Sequence, residues 1–398
     1  MYQIKYYTIR LAKFILKALH LFPVRHNMIL FSCNEGEAYA CNPKYLFEEL
    51  VKSQGNRYKY VWVLNDPARL PDRYRSSVTT VKFLSPKHIF SLHTSGFIIT
   101  NLGIEPFLAK RKSQTVICTH HGGGSYKRHH VQLNFLSREE NRYIRNVQKL
   151  RSGITDYILS GNSEFTGIHT RDLEISRDKF LSTGTPRNDI LYTHNPTTVR
   201  EVRDRICRIY GIFSGNLLVM YAPTFRGTHR HRFQMSDGIC SPFVADALKQ
   251  RFGKEVTFLF RRHRHSLKAC DKNRRQQVNI IDVSNYDDMQ ELLLGADVLI
   301  TDYSSSIWDY CLTFKPGFLY MPDLKDFTCD RGFNVPLDRW PYPYAETPED
   351  FCRIIRNYSE EESRRRISDH LNYMGSFEKG TATSSVADLI NHISLKKQ

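Results

Sequence analysis

The chain has no cysteine framework. Its nine cysteines are an odd count scattered over 398 residues, and no pair stands as Cys-x-x-Cys. That argues against a disulfide scaffold and a zinc knuckle, and suits a reducing cytoplasm. There is also no long uncharged apolar run at the start, where Lys5, Arg10, Lys13 and Lys17 break up the hydrophobic residues. No bilayer-spanning helix fits there, and without a small-residue cleavage site a signal peptide is not expected. Acid is in short supply: 41 Asp plus Glu against 57 Lys plus Arg give a net charge of +16. Such a surplus calls for an anionic partner, whether nucleic acid, anionic lipid or a phosphorylated substrate. Internal repeats and low-complexity tracts are absent, and so is any RRM, KH or helix-turn-helix signature. The expectation is therefore no nucleic-acid partner. No acidic cluster suits Mg2+, and the four histidines His120, His121, His129 and His130 have no carboxylate or cysteine at ligand spacing. No cofactor is expected; Mg2+ stays open, though nothing in the sequence indicates it.

What is present is a globular composition, 41% hydrophobic and 25% charged, on a chain long enough for two or three domains. Short apolar runs alternate with helical patterns, twice over. The first set of expected strands is 28–33, 60–64, 80–83, 97–100, 115–118 and 157–160. The second is 217–221, 256–260, 278–283, 298–300 and 318–321. Strands separated by helices make parallel sheets. Two such sets, joined around Thr193–Thr198, predict an α/β protein with two Rossmann-like doubly wound domains. Ligands then belong at the carboxyl ends of the strands, and the natural active site is a cleft between the domains. The expected division is a basic amphipathic helix at 1–25, an N-terminal domain at 26–195, a C-terminal domain at 196–375, and a last helix at 376–398 packing back across them. On a helical wheel Ile4, Tyr7, Leu11, Phe14, Ile15 and Ala18 share one side and the four cations the other. This is how a helix lying in a membrane interface is built, and equally a surface helix packed on its own domain.

Several polar clusters follow predicted strands. Asp297-Val-Leu-Ile-Thr-Asp-Tyr-Ser-Ser-Ser-Ile-Trp-Asp309 is a buried strand, a hydroxyl-rich turn and a helix expected over 307–314. Backbone N–H groups there can meet an anion, and the plain alternative is a serine N-cap. In Cys118-Thr-His-His-Gly-Gly-Gly-Ser-Tyr-Lys127 two histidines meet three glycines. Glycine lets backbone approach a ligand, and imidazole takes a proton near neutral pH, so His121 is the candidate base and His120 the one that packs or orients. Tyr221-Ala-Pro-Thr-Phe-Arg-Gly227 offers Arg226 to a phosphate, or to solvent. Phe260-Arg-Arg-His-Arg-His265 is an anion site or a solvated basic edge. The turn Gly184-Thr-Pro-Arg-Asn-Asp189 carries Arg187, which faces the cleft or pins the interdomain link. Tyr286–Leu293 looks like a helix start with Asp287 and Asp288 at its positive end, and Met289 either walls a base pocket or packs in the core.

Taken in order, these segments resemble the CDP-glycerol glycerophosphotransferases, the alditol-phosphate transferases of teichoic-acid and capsule polymer synthesis. Phe31-Ser-Cys-Asn-Glu-Gly-Glu-Ala-Tyr-Ala-Cys-Asn-Pro-Lys-Tyr-Leu46 is similar to that family's first strand, loop and helix. His121-Gly-Gly-Gly with Lys127, Gly184-Thr-Pro-Arg-Asn-Asp, Tyr221-Ala-Pro-Thr-Phe-Arg, the run from Asp282 through Ser306, Arg331-Gly-Phe and Glu346-Thr-Pro-Glu-Asp follow. The resemblance implies a GT-B fold and transfer of glycerol or a related alditol phosphate from CDP-glycerol or CDP-ribitol to a hydroxyl, with release of CMP. It implies His121 as the base. Arg226, His263, Ser304 and Ser305 would hold the diphosphate, and Thr224 and Met289 would lie near the donor. Asp302 and Asp309 would orient these groups. Gly122, Gly123, Lys127 and Arg187 are placed with the acceptor or between the domains. It further implies a lipid-linked or polymer acceptor, an anionic membrane surface, and a peripheral position on the inner face of a bacterial cell membrane. Two departures stand out: His120 replaces the Trp that often precedes the family's catalytic His, and His263-Arg264 replaces His-Pro, leaving His263 and His265 both open as the phosphate ligand. The competing readings are a GT-B glycosyltransferase using a nucleotide sugar, which the same fold would serve, and a non-enzymatic basic protein binding polyanions or membranes.

Overall fold

The structure is a computed structural model that describes residues 1–129, 136–224, 239–262 and 278–397. The chain forms two compact units. The first comprises 1–123, 129–189 and 376–398, and the second comprises 124–128 and 190–375.

The first unit carries a seven-stranded sheet: β1 (Arg25–Ser32), β2 (Lys59–Val63), β3 (Val78–Val81), β4 (Ser95–Thr100), β5 (Thr115–Cys118), β6 (Tyr157–Leu159) and β7 (Phe180–Leu181). Its order is β3-β2-β1-β4-β5-β6-β7, and every pairing is parallel. Alternate residues feed two cores. Ile29 and Phe31 of β1 join Tyr60 and Trp62 of β2 on one face, where the Phe31 and Trp62 rings stack at 5.5 Å. Met28 and Leu30 join Val61 and Val63 on the other. Burial on both faces is why these strands appear in the sequence as continuous apolar runs. Each large side chain so buried contributes roughly 1.5–3 kcal/mol.

The second unit repeats the plan with β8 (Leu217–Tyr221), β9 (Val256–Phe260), β10 (Ile280–Asp282), β11 (Val298–Thr301), β12 (Gly317–Tyr320) and β13 (Tyr344–Ala345). The order β10-β9-β8-β11-β12-β13 is again wholly parallel. Leu218, Met220 and Leu299 face one core, while Leu217, Val219, Val298 and Ile300 face the other. In both sheets the strand order reverses between the first and fourth strands. That switch point is where open parallel sheets receive ligands.

The boundaries differ from those the sequence suggests. The division falls after Asp189, not after 195. Residues 193–198 instead run from the end of the helix Asp189–Thr193 into the helix Pro196–Tyr210, with Asn195 Oδ1 accepting from the N–H groups of Thr197 and Thr198. The final helix, Ala382–Lys396, gives Val386, Ala387 and Ile390 to the core of the first unit. Residues 124–128, expected in the N-terminal domain, belong to the second unit, and Lys127 with them.

The N-terminal helix, Tyr2–Ile15, continues as a 3-10 turn, Leu16–Leu21. It has two working faces. Tyr2, Tyr6, Ile9 and Ala12 are half-buried on the side packed against the helix Arg138–Ile154, with the Tyr2 and Tyr143 rings 5.6 Å apart. Ile4, Tyr7, Leu11 and Phe14 stay open, 58 to 72% exposed. Among the described residues no helix is long and apolar enough to cross a membrane.

Candidate functional site

In the first unit the chain leaves β5 into His120 and His121. The His121 ring is exposed, and its Nδ1 lies 3.3 Å from the backbone carbonyl oxygen of Asn101, the first residue after β4. A carbonyl only accepts, so a hydrogen bond here requires the proton on Nδ1 and makes Nε2 the basic nitrogen of the ring. Asn101 is 1% exposed and is itself fixed across the switch point. Its Oδ1 accepts from the backbone N–H of Asn34 at 2.9 Å, and its Nδ2 donates to Asn34 Oδ1 at 3.0 Å. The partner that orients the imidazole is thus tied to the loop after β1.

The His120 ring lies near-parallel to that of His121, with centroids 6.4 Å apart. It packs edge-on against Phe165 and His169, with ring centroids 5.1 and 5.0 Å away. Burial, helped by the charges of His121, His129 and Arg187, pushes its pKa down to about 3. His120 is therefore a neutral packing residue at working pH. Its φ is +55°. Asn34, Glu35 and Cys41 also take left-handed φ values, of 49°, 59° and 61°. Each such non-glycine residue costs on the order of 1–3 kcal/mol, and strain of this kind gathers at functional sites. Here it gathers where β1 and β5 end.

Gly123 accepts a hydrogen bond at its carbonyl from Asn162 Nδ2 at 2.8 Å. Arg187 is 6% exposed, and its guanidinium Nη1 reaches Cys41 Sγ at 3.6 Å. The turn around it is held from the chain's far end. Glu378, 5% exposed, accepts from Thr185 N at 3.0 Å, Thr185 Oγ1 at 2.9 Å and Asn188 Nδ2 at 3.0 Å. Asp189 accepts from the N–H groups of Ala382 and Thr383 at 3.0 and 2.7 Å. Lys127 pairs as an isolated bridge with Phe333, in the second unit.

In the second unit the corresponding switch point lies between β8 and β11. Asp302, just past β11, accepts the backbone N–H of Thr224 on both carboxylate oxygens, at 2.9 and 3.1 Å. It also accepts the N–H of Tyr303 at 2.6 Å. Thr301 Oγ1 donates to the Ala222 carbonyl at 2.7 Å. The loop after β8 is therefore laced to the loop after β11. Ser304 Oγ accepts from Ser306 N at 3.2 Å and from Ser306 Oγ at 2.9 Å. Ser305 occupies the N-cap position of the helix Ser306–Cys311 but makes no side-chain capping bond. That helix is shorter than the 307–314 expected, so its dipole is weaker and the hydroxyls and loop N–H groups carry more of any anion contact. Asp309, 2% exposed, accepts from Gln290 Nε2 at 3.1 Å. Gln290 lies in the helix Met289–Gly295, capped by Asp288. Asp287 lies outside that helix, and half-buried Met289 packs on the edge of the core.

Of the basic cluster expected after β9, Arg261 donates to the carbonyls of Tyr286 and Asp287 at 2.6 and 3.4 Å, and Arg262 pairs with Asp282 at 3.0 Å. Both shape the loop that carries Met289. Arg226, His263, Arg264, His265 and His130 lie outside the described residues. Sequence reasoning passed over Asn42, Asn101 and Glu378. Asn101 had a usable signal, being an amide placed immediately after the strand expected over 97–100. Asn42 and Glu378 had none, because their partners stand far away in sequence.

Two parallel-sheet Rossmann-like units, each with polar groups gathered at the point where its strand order reverses, are the architecture of the GT-B class. The chain belongs to the CDP-glycerol:poly(glycerophosphate) glycerophosphotransferase family, which it matches over residues 14–392. It is 28% identical over 387 residues to a teichoic acid poly(glycerol phosphate) polymerase of Staphylococcus epidermidis, covering 94% of this chain and 52% of that protein. It therefore spans about half the length of that relative. It is 25% identical over 394 residues to the polymerase of the same description from Bacillus spizizenii, covering 96% of each. Its structure is similar to that of a wall teichoic acid polymerase, TagF, with a TM-score of 0.82, 25% identity, and coverage of 99% of this chain and 96% of that one. The fold class expected from the sequence is the one observed.

Proposed function

We propose that the chain transfers glycerol phosphate, or a related alditol phosphate, from a CDP-activated donor to a hydroxyl on a teichoic-acid-like acceptor. The observation that carries the reading is His121, an exposed imidazole at a strand end whose Nδ1 faces the Asn101 carbonyl. In this reading Nε2 takes the acceptor hydroxyl's proton. The oxygen attacks the phosphorus that bears the alditol, a new P–O bond forms, and the bond to CMP breaks with its electron pair leaving on CMP. Phosphoryl transfer asks a protein mainly for positioning and neutralisation of charge. Ser304, Ser305 and the loop N–H groups ordered by Asp302 are suited to a diphosphate, with Arg226 and either His263 or His265 added there by the family resemblance. No metal or organic cofactor is called for.

The family match and the two poly(glycerol phosphate) polymerases support glycerol phosphate as the transferred group. Relatives described as ribitol-phosphate enzymes keep ribitol as the comparison substrate. The test is incubation of the protein with CDP-glycerol, CDP-ribitol and a UDP-sugar beside a polymer acceptor. The reading expects CMP and a new phosphodiester from a CDP-alditol. Turnover of the UDP-sugar alone would replace it with glycosyl transfer.

The N-terminal helix is part of the same proposal. Its open Ile4, Tyr7, Leu11 and Phe14, beside Arg10 and Lys17, suit the interface of an anionic membrane on the cytoplasmic face, where a lipid-linked acceptor would lie.

A further inference from the structure

We propose that Asn42 is a positioning residue for His121: its side-chain amide holds the backbone of the His120 turn in the conformation that presents the imidazole. The inference rests on His121 being the base. Asn42 is 1% exposed, the second residue of the helix Cys41–Gln54. Its Nδ2 donates to two consecutive carbonyls, Thr119 at 2.9 Å and His120 at 2.8 Å. Its Oδ1 accepts the backbone N–H of Arg187 at 2.9 Å. One amide thus closes a ring of three loops, those after β1 and β5 and the Gly184–Asp189 turn.

The bond to the His120 carbonyl matters most. The His120 peptide carbonyl is joined directly to the His121 nitrogen, so fixing the carbonyl fixes the plane from which His121 departs. His120 is left-handed, a conformation a β-carbon disfavours. Without an acceptor-directed clamp the turn would relax toward negative φ, and that rotation would swing His121 away from the Asn101 carbonyl. A base displaced by about 1 Å can lose on the order of 10²-fold in rate. Asn42 is itself strained into place, since Cys41 before it has φ +61°. The donors needed are two N–H groups on one planar nitrogen, with an acceptor on the same carbon. Asparagine and glutamine supply that set, and aspartate does not.

A matched control lies elsewhere in the same unit. Gln114, 2% exposed, makes the same three kinds of bond: Nε2 to the carbonyls of Leu92 and Ser95 at 3.1 and 2.9 Å, and Oε1 from the N–H of Arg111 at 3.0 Å. Replacing either residue by alanine removes two carbonyl-directed donors and one acceptor of a backbone N–H, so both variants carry a stability loss of the same kind, although the His120 carbonyl keeps a contact from Thr119 Oγ1 at 3.4 Å. The experiment measures CMP release, donor dissociation constant, pH profile of turnover and unfolding midpoint for Asn42→Ala, Asn42→Asp, Gln114→Ala and His121→Ala, with rates normalised to the folded fraction by circular dichroism. The proposal expects Asn42→Ala and Asn42→Asp to lose about 10²-fold in turnover relative to Gln114→Ala, to keep donor affinity within about twofold, and to move the pH limb belonging to the base. Equal rates in Asn42→Ala and Gln114→Ala, or a wild-type rate in the isosteric Asn42→Asp, would overturn it. Asn42→Asp has the native shape and decides the matter if the alanine variant does not fold. Normal turnover in His121→Ala would instead remove the base assignment, a failure read independently of Asn42.

Discussion

Asp302 grips the backbone N–H of Thr224 with both of its carboxylate oxygens, at 2.9 and 3.1 Å. The bond spans the switch point of the second sheet, as the paired bonds between Asn34 and Asn101 span that of the first. Each sheet thus ties the loop after its first strand to the loop after its fourth. Asp302→Ala would orphan the buried N–H groups of Thr224 and Tyr303, at a cost of roughly 1–3 kcal/mol for each. The expected outcome is a lower urea midpoint together with weaker binding of CDP-glycerol. Calorimetric affinity equal to wild type would separate Asp302 from the donor site.

Gly124 is required by its neighbour. A β-carbon there would lie 2.2 Å from the Tyr126 ring. The ring cannot retreat, because its hydroxyl meets His370 Nε2 at 2.8 Å and its centroid lies 4.7 Å from that of the tilted Trp340 ring. Gly124→Ala is expected to cost about 1–3 kcal/mol by overpacking. An unchanged melting temperature would contradict the account.

Stability should fall in mild acid. His88 and His370 are fully buried, and burial lowers each pKa to about 4 from an ordinary 6.5. His370 is held neutral, its Nδ1 donating to the Arg339 carbonyl at 2.7 Å and its Nε2 accepting from Tyr126. Between pH 6.5 and 4 the unfolded chain binds these protons and the folded chain does not, so stability is present above 6.5 and is lost as pH falls toward 4. By pH 5 the loss is about 2 kcal/mol for each residue. Urea midpoints measured from pH 7.5 to 5 should decline, and a flat profile would argue against buried neutral imidazoles.

The proposed membrane contact can be tested without disturbing the packed face of the N-terminal helix. Leu11 and Phe14 are 58% and 68% exposed, so Leu11→Glu with Phe14→Glu should leave folding unchanged. Binding to vesicles containing anionic lipid should drop at least about tenfold, as two apolar insertions are lost and negative charge is added. Undiminished binding would discard the anchor.

The sheets were legible because each long strand is an apolar run closed by polar or glycine residues. β5, β8 and β9 begin and end where the sequence places them. β7 and β13 escaped notice because Phe180–Leu181 and Tyr344–Ala345 are two residues each, too short for any period to show. The helix expected from Tyr286 starts at Met289, because Asp288 turns its side chain back to cap it. His121, Asp302 and the serines were visible as polar groups at strand ends. Asn42 and Glu378 were not, since their value lies in bonds to residues 77 to 193 positions away.

The central claim is that His121 does chemistry on a donor held by other groups. The most direct measurement is CMP release from CDP-glycerol by His121→Ala, with donor binding measured on the same protein by calorimetry. The account predicts a fall of about 10²–10⁴-fold in turnover, the usual worth of a positioned base, with the donor bound as tightly as in the unaltered chain. Turnover near the unaltered rate would contradict it.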